Sequence, residues 1–118
     1  RLTEETLRGQ VLHVDAFGNI ITNISRAEFE RTGVREGDVF GFRLKSRVVR
    51  LRFCSTYREA AVGKPLALIG SHDFLEVSMN QRSASERFGM RVGDAVTVFK
   101  RARARNYLPR ERVMLGVC

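Results

Sequence analysis

Apolar and polar residues alternate with a period of two along most of the chain, which predicts strands rather than helices. The segment "DVFGFRLKSRVVRLRF" is the clearest case, because it turns near Lys45-Ser46 and returns with Arg50 and Arg52 on its polar side. Its predicted inward residues are Phe40, Phe42, Leu44, Val49, Leu51 and Phe53. The runs "GQVLHVD", "PLALIG", "FLEVSMN" and "AVTVF" add further short strands between turn signals. The pattern favours an all-β class, and we predict a small antiparallel β-barrel over a sandwich.

Two short segments break this pattern, and together they predict an internal repeat. "SRAEFERTGVREGDVF" and "SASERFGMRVGDAVTV" both begin with Ser-x-x-Glu, the spacing of a helix capping box. Each segment then reaches a glycine that is expected to end the helix, at Gly33 and Gly89, and a Gly-Asp pair before the next strand. We interpret Asp38 and Asp94 as tight-turn residues, because the same pair occurs in both halves while a single active site needs only one.

A net charge of +8 is typical of a nucleic-acid-binding protein, but the positions of the charges weaken this interpretation. Residues 1–99 hold 15 basic and 12 acidic residues, whereas residues 100–118 hold 6 and 1. We therefore predict a barrel domain at 1–99 and a basic tail at 100–118, in which Arg101, Arg103 and Arg105 alternate with alanine. A solvated or subunit-contact role is favoured over nucleic acid for this tail, since charge runs are commonly just solvated.

The rest of the composition argues against a membrane protein and against a metal or catalytic site within this chain. The apolar runs are too short to span a membrane, and the chain opens without Met or a leader, so we expect a soluble, cytoplasmic piece of a longer polypeptide. Cys54 and Cys118 give no zinc spacing and leave a disulfide open. No metal-ligand cluster, phosphate loop or nucleophile beside a base stands out. No catalytic residue, metal or cofactor is therefore predicted within this chain.

The stretch "VDAFGNIITNIS" is unusual, because it places a Phe-Gly-Asn corner and a second Asn within an Ile-rich strand. With "STYREAAVGKPLALIGS", "FLEVSMNQRSAS" and "GMRVGDAVTV" it resembles, in colinear order over roughly residues 9–99, the C-terminal domain of the S-adenosylmethionine hydroxide adenosyltransferases. That family is related to the fluorinases and chlorinases. The resemblance implies displacement of L-methionine from S-adenosylmethionine by water or hydroxide, giving adenosine.

The resemblance also implies a division of labour between two domains. Members combine a larger N-terminal α/β domain with a small β-barrel, form trimers, and bind substrate between one subunit's N-terminal domain and its neighbour's barrel. This chain corresponds to the barrel, so the N-terminal acid near the reacting ribose is absent. We accordingly expect a homotrimer with the N-terminal domain of the full-length protein, S-adenosylmethionine as substrate rather than cofactor, and an inactive isolated chain.

The site residues implied by the resemblance fall into two groups. Next to adenine we expect aromatic rings and amide or backbone groups, because a base needs an apolar surface at its face and polar groups at its rim. These residues are Phe17, Asn19, Tyr57, Asn80 and Gln81. At the methionine end we expect Ser71 and His72, as donors to a carboxylate. Asn23 is predicted instead to tie the returning strand by hydrogen bonds.

Most of these site residues also have a structural alternative. The alternatives are a barrel core for Phe17, a turn for Asn19, a surface aromatic for Tyr57, plain loop chemistry for His72 and a helix cap for Asn80. His72-Asp73 and Arg82 stand where relatives often have small residues or Gly, which puts the local loop geometry in question. Two rival classes are a basic nucleic-acid-binding barrel and a purely structural assembly domain. Nucleic acid is disfavoured, because the Phe residues of the basic hairpin are predicted to point inward.

Overall fold

The computed structural model describes residues 4–101, and for 4, 5, 57, 100 and 101 it describes the backbone alone. This range contains seven strands, two short α-helices and one 3₁₀ helix. In chain order they are β1 (Glu4–Val14), β2 (Ile20–Ser25), α1 (Arg26–Glu30), β3 (Val39–Leu44), β4 (Arg47–Arg52), the 3₁₀ helix (Tyr57–Glu59), β5 (Pro65–Ile69), β6 (Phe74–Met79), α2 (Ala84–Phe88) and β7 (Ala95–Arg101). The rest of the predicted tail, with Arg103 and Arg105, lies outside the described residues.

The strands form one sheet that curls into a nearly closed barrel. Its order is β4-β3-β7-β1-β2-β6-β5, with every neighbouring pair antiparallel. The two end strands approach each other where Phe53 pairs with Ala67 in a parallel bridge, and the Cys54 N–H donates to the Ala67 carbonyl at 2.9 Å. The predicted antiparallel β-barrel is therefore confirmed.

The long strand β1 joins the two halves of the barrel. Its first part pairs with β7, from Glu4 to Gln10, and its second part pairs with β2 from Val11 onward, with a bulge after Val11. Near this transition the Asn23 side-chain oxygen accepts a hydrogen bond from the Gln10 N–H at 2.9 Å. This bond confirms that Asn23 ties the returning strand.

The internal repeat is present as two strand, helix, turn and strand units, β2-α1-β3 and β6-α2-β7. Ser25 and Ser83 are the helix N-caps, and each hydroxyl accepts from the N–H of the glutamate three residues on. The two units differ at their helix ends. Gly89 caps α2 directly with φ 65°, whereas the C-cap of α1 is Arg31. The chain then makes one more turn, in which the Thr32 hydroxyl donates to the Phe29 carbonyl. The prediction that Gly33 ends α1 was therefore late by two residues.

The Gly-Asp pairs form matching turns in both units. Asp38 accepts from the Arg35 N–H at 2.9 Å, and Asp94 accepts from the Arg91 N–H at 2.7 Å. The glycine before each aspartate has φ near 95°, a conformation that favours glycine. Both aspartates are thus occupied by their own turns, as predicted.

The core fills the barrel interior with the residues that the alternating pattern placed inward. Phe40, Phe42, Leu44 and Leu51 are buried, while Val49 and Phe53 are partly buried against the same core. The ring of Phe29, from α1, lies 4.9 Å from that of Phe40 and closes this end of the barrel. Across residues 4–101, no helix has the length and apolar character needed to cross a membrane.

Candidate functional site

The corner between β1 and β2 is organised by one carboxylate. Asp15 Oδ1 accepts hydrogen bonds from the Phe17 N–H at 2.9 Å and the Asn19 N–H at 3.0 Å, and Oδ2 accepts from Asn19 Nδ2 at 2.9 Å. Burial of Asp15 acts to raise the pKa of its carboxyl, but these bonds, aided by His13, hold the pKa below its usual value. The corner therefore carries a fixed negative charge at neutral pH.

Gly18 lets this corner lie directly on the start of α2. It has φ +83°, and a Cβ at this position would lie 2.5 Å from Ser83 Cβ and 2.8 Å from Ser83 Cα. Its carbonyl accepts a hydrogen bond from the Ser85 N–H at 2.8 Å. Only glycine satisfies both the backbone angle and the close approach. The corner and the α2 N-terminus are thereby held as one unit, with no side chain between them.

A cleft of about 630 Å³ lies between the corner and the segment that follows β6. Asp15, Phe17 and Asn19 line one side, and Met79, Gln81, Arg82 and Ser83 line the other. Phe17 is 79% exposed, so its ring is not part of the barrel core. An exposed aromatic ring beside amide and charged groups is what a flat, polar-edged ligand requires.

The neighbouring residues Asn80 and Gln81 face different surroundings. Gln81 has φ +63° and lines the cleft. Asn80 is 8% exposed, and its amide nitrogen donates to the Ala60 carbonyl at 2.7 Å. Its own carbonyl accepts from the Gly63 N–H at 2.9 Å. Asn80 thus anchors the loop before β5, rather than capping α2, whose N-cap is Ser83.

A second cavity of about 400 Å³ adjoins the first, since Asp15 lines both. Ser71 and His72 line it together with Glu76. His72 Nδ1 accepts from the Phe74 N–H at 3.1 Å, so the ring proton resides on Nε2, which donates to Glu76 Oε1 at 3.0 Å. Both ring nitrogens of His72 are therefore engaged within the barrel.

Glu76 is the buried end of this chain of hydrogen bonds. It is 8% exposed, and its Oε2 accepts from the Ser78 hydroxyl at 2.6 Å. Gly70 leaves room for the pair, because a Cβ there would lie 2.5 Å from His72 Cε1 and 2.7 Å from Glu76 Oε1. The carboxylate and the imidazole therefore hold one another in a fixed orientation at the wall of the second cavity.

The structure gives the backbone conformation of the two loops in which this sequence departs from its relatives, at His72-Asp73 and at Arg82. The left-handed backbone occurs at Asp73, with φ 71°, and at Gln81, rather than at His72 and Arg82. Asp73 turns its carboxylate toward Arg26, whose Nε donates to it at 2.9 Å. That pairing directs the negative charge of Asp73 away from the cavity that Ser71 and His72 line.

The structure brings together five of the seven residues that the sequence predicted. Phe17, Asn19 and Gln81 share the first cavity, and Ser71 and His72 share the second. Asn80 points to Ala60 instead, and the side chain of Tyr57 lies outside the described part of the chain. Sequence reasoning missed Asp15, Met79, Arg82, Ser83 and Glu76. For Asp15 a signal was present, since an aspartate before a Phe-Gly-Asn corner is typical of a side chain that binds its own turn.

Within residues 4–101, no group of three or more His, Cys, Asp or Glu side chains is arranged to hold a metal ion. The described part of the chain is thus a small antiparallel barrel with two adjoining surface cavities that meet at a carboxylate. Residues 9–97 match the family model described as the SAM hydroxide adenosyltransferase C-terminal domain. The chain belongs to this family.

Individual relatives agree with this assignment. The chain is 38% identical over 86 residues to an (R)-S-adenosyl-L-methionine hydrolase of Thermus thermophilus, covering 72% of this chain and 29% of that protein. A crystal structure of an uncharacterized conserved protein from Thermotoga maritima superposes with a TM-score of 0.77 at 28% identity, covering 79% of this chain and 35% of that one.

A conserved hypothetical protein of Thermus thermophilus superposes with a TM-score of 0.56 at 34% identity, covering 77% of this chain and 34% of that one. The chain therefore spans about a third of the length of these relatives.

Proposed function

We propose that this barrel is the adenosine-binding half of an enzyme that hydrolyses S-adenosylmethionine to adenosine and L-methionine. The observation that carries the proposal is the exposed ring of Phe17 at a cleft that Asn19 and Gln81 also line. A cleft of about 630 Å³ is within the usual size range of small-molecule sites. The base stacks on Phe17, and the amides of Asn19 and Gln81 address its edge.

The second cavity suits the methionine end of the same ligand. S-adenosylmethionine carries a positive sulfonium and a positive ammonium group, and Asp15 supplies a fixed negative charge where the two cavities meet. Ser71 is available for the methionine carboxylate, because a hydroxyl donates readily to carboxylate oxygens. The Thermus thermophilus relative is named as an (R)-S-adenosyl-L-methionine hydrolase, which agrees with this choice of ligand.

The reaction itself is a displacement at the ribose carbon bound to sulfur. The oxygen of water attacks that carbon, the carbon–sulfur bond breaks, methionine leaves as a neutral thioether, and the attacking water loses a proton. The groups described in this barrel hold the two ends of the substrate, and the acid beside the reacting carbon belongs to the other domain. We therefore place the reacting carbon between this barrel and the N-terminal domain of a neighbouring subunit in a trimer, with no cofactor required.

The exposure of Phe17 supports a site that a second surface completes. A ring left 79% exposed contributes little to folding, but it becomes buried once a ligand and another domain cover it. On this proposal the barrel alone binds weakly and does not turn over substrate.

Turnover separates the proposal from its alternatives. The intact polypeptide should release adenosine and L-methionine from S-adenosylmethionine in equal amounts, as measured by chromatography. The 118-residue chain alone should release neither. If the intact polypeptide releases no adenosine, the proposed activity is wrong, and if the isolated chain releases it, the shared site is wrong.

A further inference from the structure

The outer face of β1, β7 and β3 carries cations that the proposed site does not use. Thr97 lies in register between Arg8 on one side and Arg43 on the other, and both arginines are exposed. In the next row Phe99 lies between Thr6 and Gly41. We call the six residues Thr6, Arg8, Gly41, Arg43, Thr97 and Phe99 the outer face. None of the six lines either cavity of the candidate site.

Phe99 is turned outward, in contrast to the phenylalanines of the neighbouring hairpin. Phe40 and Phe42 are buried in the core, and Gly41 between them faces the opposite side of the sheet. A Cβ on Gly41 would lie 2.7 Å from Phe99 Cδ2 and 3.1 Å from Cε2, so the ring rests directly on the glycine backbone. The absence of a side chain at Gly41 therefore gives the ring its place on the surface.

Among the described side chains of this surface, the charges have one sign. Arg8 and Arg43 lie two strands apart, a separation of roughly 10 Å between backbones. The outer face has no carboxylate, and the described side chains that follow it along the strands, Gln10 and Ala95, are uncharged as well. A half-buried ring on the outside of the barrel, with arginines in an adjacent row, combines phosphate attraction with a stacking surface.

We infer that the outer face binds single-stranded nucleic acid, with phosphates at Arg8 and Arg43 and an unpaired base against Phe99. One guanidinium group can donate two parallel hydrogen bonds to the oxygens of one phosphate. An aromatic ring can stack on any base, because every base has a flat π-face. A duplex hides its base faces within the stack, whereas a single strand presents unpaired bases beside its phosphates. The single strand is thus the ligand that uses both features of this surface.

Fluorescence anisotropy with a labelled 12-nucleotide oligouridylate tests this inference in the intact protein. Binding should weaken as salt rises, and Arg8→Gln with Arg43→Gln should reduce the slope of log affinity against log salt by about 1.4, which is two phosphate contacts on a single strand. Arg31→Gln, at an exposed arginine that follows α1 and is not part of the outer face, is the matched control and should leave the slope unchanged.

Phe99 provides a second, independent comparison. Phe99→Leu should weaken binding by about 5- to 150-fold, the range for loss of one stacked base, whereas Phe99→Tyr should retain it. Thermal unfolding of each variant checks that the barrel is intact. The inference is overturned if the oligonucleotide does not bind at low salt, if leucine binds as well as tyrosine at position 99, or if polyglutamate competes as strongly as the oligonucleotide.

Discussion

At the scale of single residues, the site depends on a division between side chains that hold the fold and side chains that remain available. Asn23 Oδ1 accepts from the Gln10 N–H, and the buried Asn80 donates its Nδ2 to the Ala60 carbonyl, so both asparagines tie segments of the barrel together. Asn19 gives one N–H to Asp15, and an amide has two N–H groups and an oxygen with two lone pairs. Its remaining capacity can serve a ligand while the corner stays intact.

Phe17 offers the cleanest separation of binding from stability. Phe17→Ala should change the free energy of unfolding by no more than about 0.5 kcal/mol, because the ring is 79% exposed. It should weaken adenosine binding to the intact protein by about 5- to 150-fold, since the stacking surface is lost. Calorimetric titration with adenosine compares the affinity of Phe17→Ala with that of the parent, and denaturant unfolding compares their stabilities. The control is Val92→Ala, at a valine that is 65% exposed and lies outside the cleft. Equal affinities for Phe17→Ala and the parent would place adenosine elsewhere.

Asp15 makes a pH-dependent contribution to stability. Its pKa is lowered in the folded state, so the contribution is complete above the unfolded value near 3.8 and is lost as pH falls through the lower folded pKa. Asp15→Asn should cost about 1 kcal/mol at pH 7, because its amide nitrogen cannot accept the hydrogen bond that Asn19 Nδ2 donates to Asp15 Oδ2. Urea unfolding at pH 7 and near pH 2.5 measures the difference.

The difference between the Asp15→Asn variant and the parent should shrink at the lower pH. Glu36→Gln, at an exposed turn residue, should show little effect at either pH. A penalty for Asp15→Asn that is the same at both pH values would show that its charge does not organise the corner.

At the scale of elements, the corner and α2 act as one unit, and two glycines test this directly. Gly18 and Gly37 both have positive φ, but a Cβ at Gly18 would meet Ser83, whereas a Cβ at Gly37 would meet nothing within 4 Å. Gly37→Ala should cost about 1–2 kcal/mol from backbone strain alone. Gly18→Ala should cost a further 1–3 kcal/mol or so from overpacking, and it should also weaken adenosine binding.

Denaturant unfolding of the two glycine variants measures these costs side by side. If Gly18→Ala costs no more than Gly37→Ala, the close approach between the corner and α2 has no energetic weight.

Elements with strong local signals were predicted correctly, whereas the direction of a side chain that depends on distant pairing was not predicted. The period of two identified Phe40, Phe42 and Leu44 as core, and the Ser-x-x-Glu pattern identified both helix starts, because alternation and capping are local. The sequence placed the hairpin phenylalanines inward but said nothing of Phe99. Its position on the outer face follows from the pairing of β7 with β3, between residues more than fifty positions apart.

The candidate site was also predicted only where its residues have a local sequence signal. The corner residues Phe17 and Asn19 were predicted, because "FGN" is specific in sequence. The opposite wall was only partly predicted, since Arg82 and Ser83 reach the cleft through the contact of Gly18 with α2. Glu76 was overlooked, because an acid within a strand appears exposed in the sequence until the fold buries it beside His72.

At the scale of the whole molecule, the barrel brings together segments that are far apart in sequence. The corner after β1 and the segment after β6 meet because β2 lies between β1 and β6 in the sheet. The same arrangement leaves Phe17 exposed and the cleft open on one side. The chain spans about a third of its relatives' length, so the open side is where we expect the remainder of the protein to contribute.

The most direct test of the proposed function is a crystal structure of the intact protein with adenosine bound. The proposal predicts electron density for adenine against the Phe17 ring, with the amides of Asn19 and Gln81 at its edge and another subunit's domain covering the open side. Adenosine bound at a site that excludes Phe17 and Asn19 would contradict it, and the corner would then be a structural turn alone.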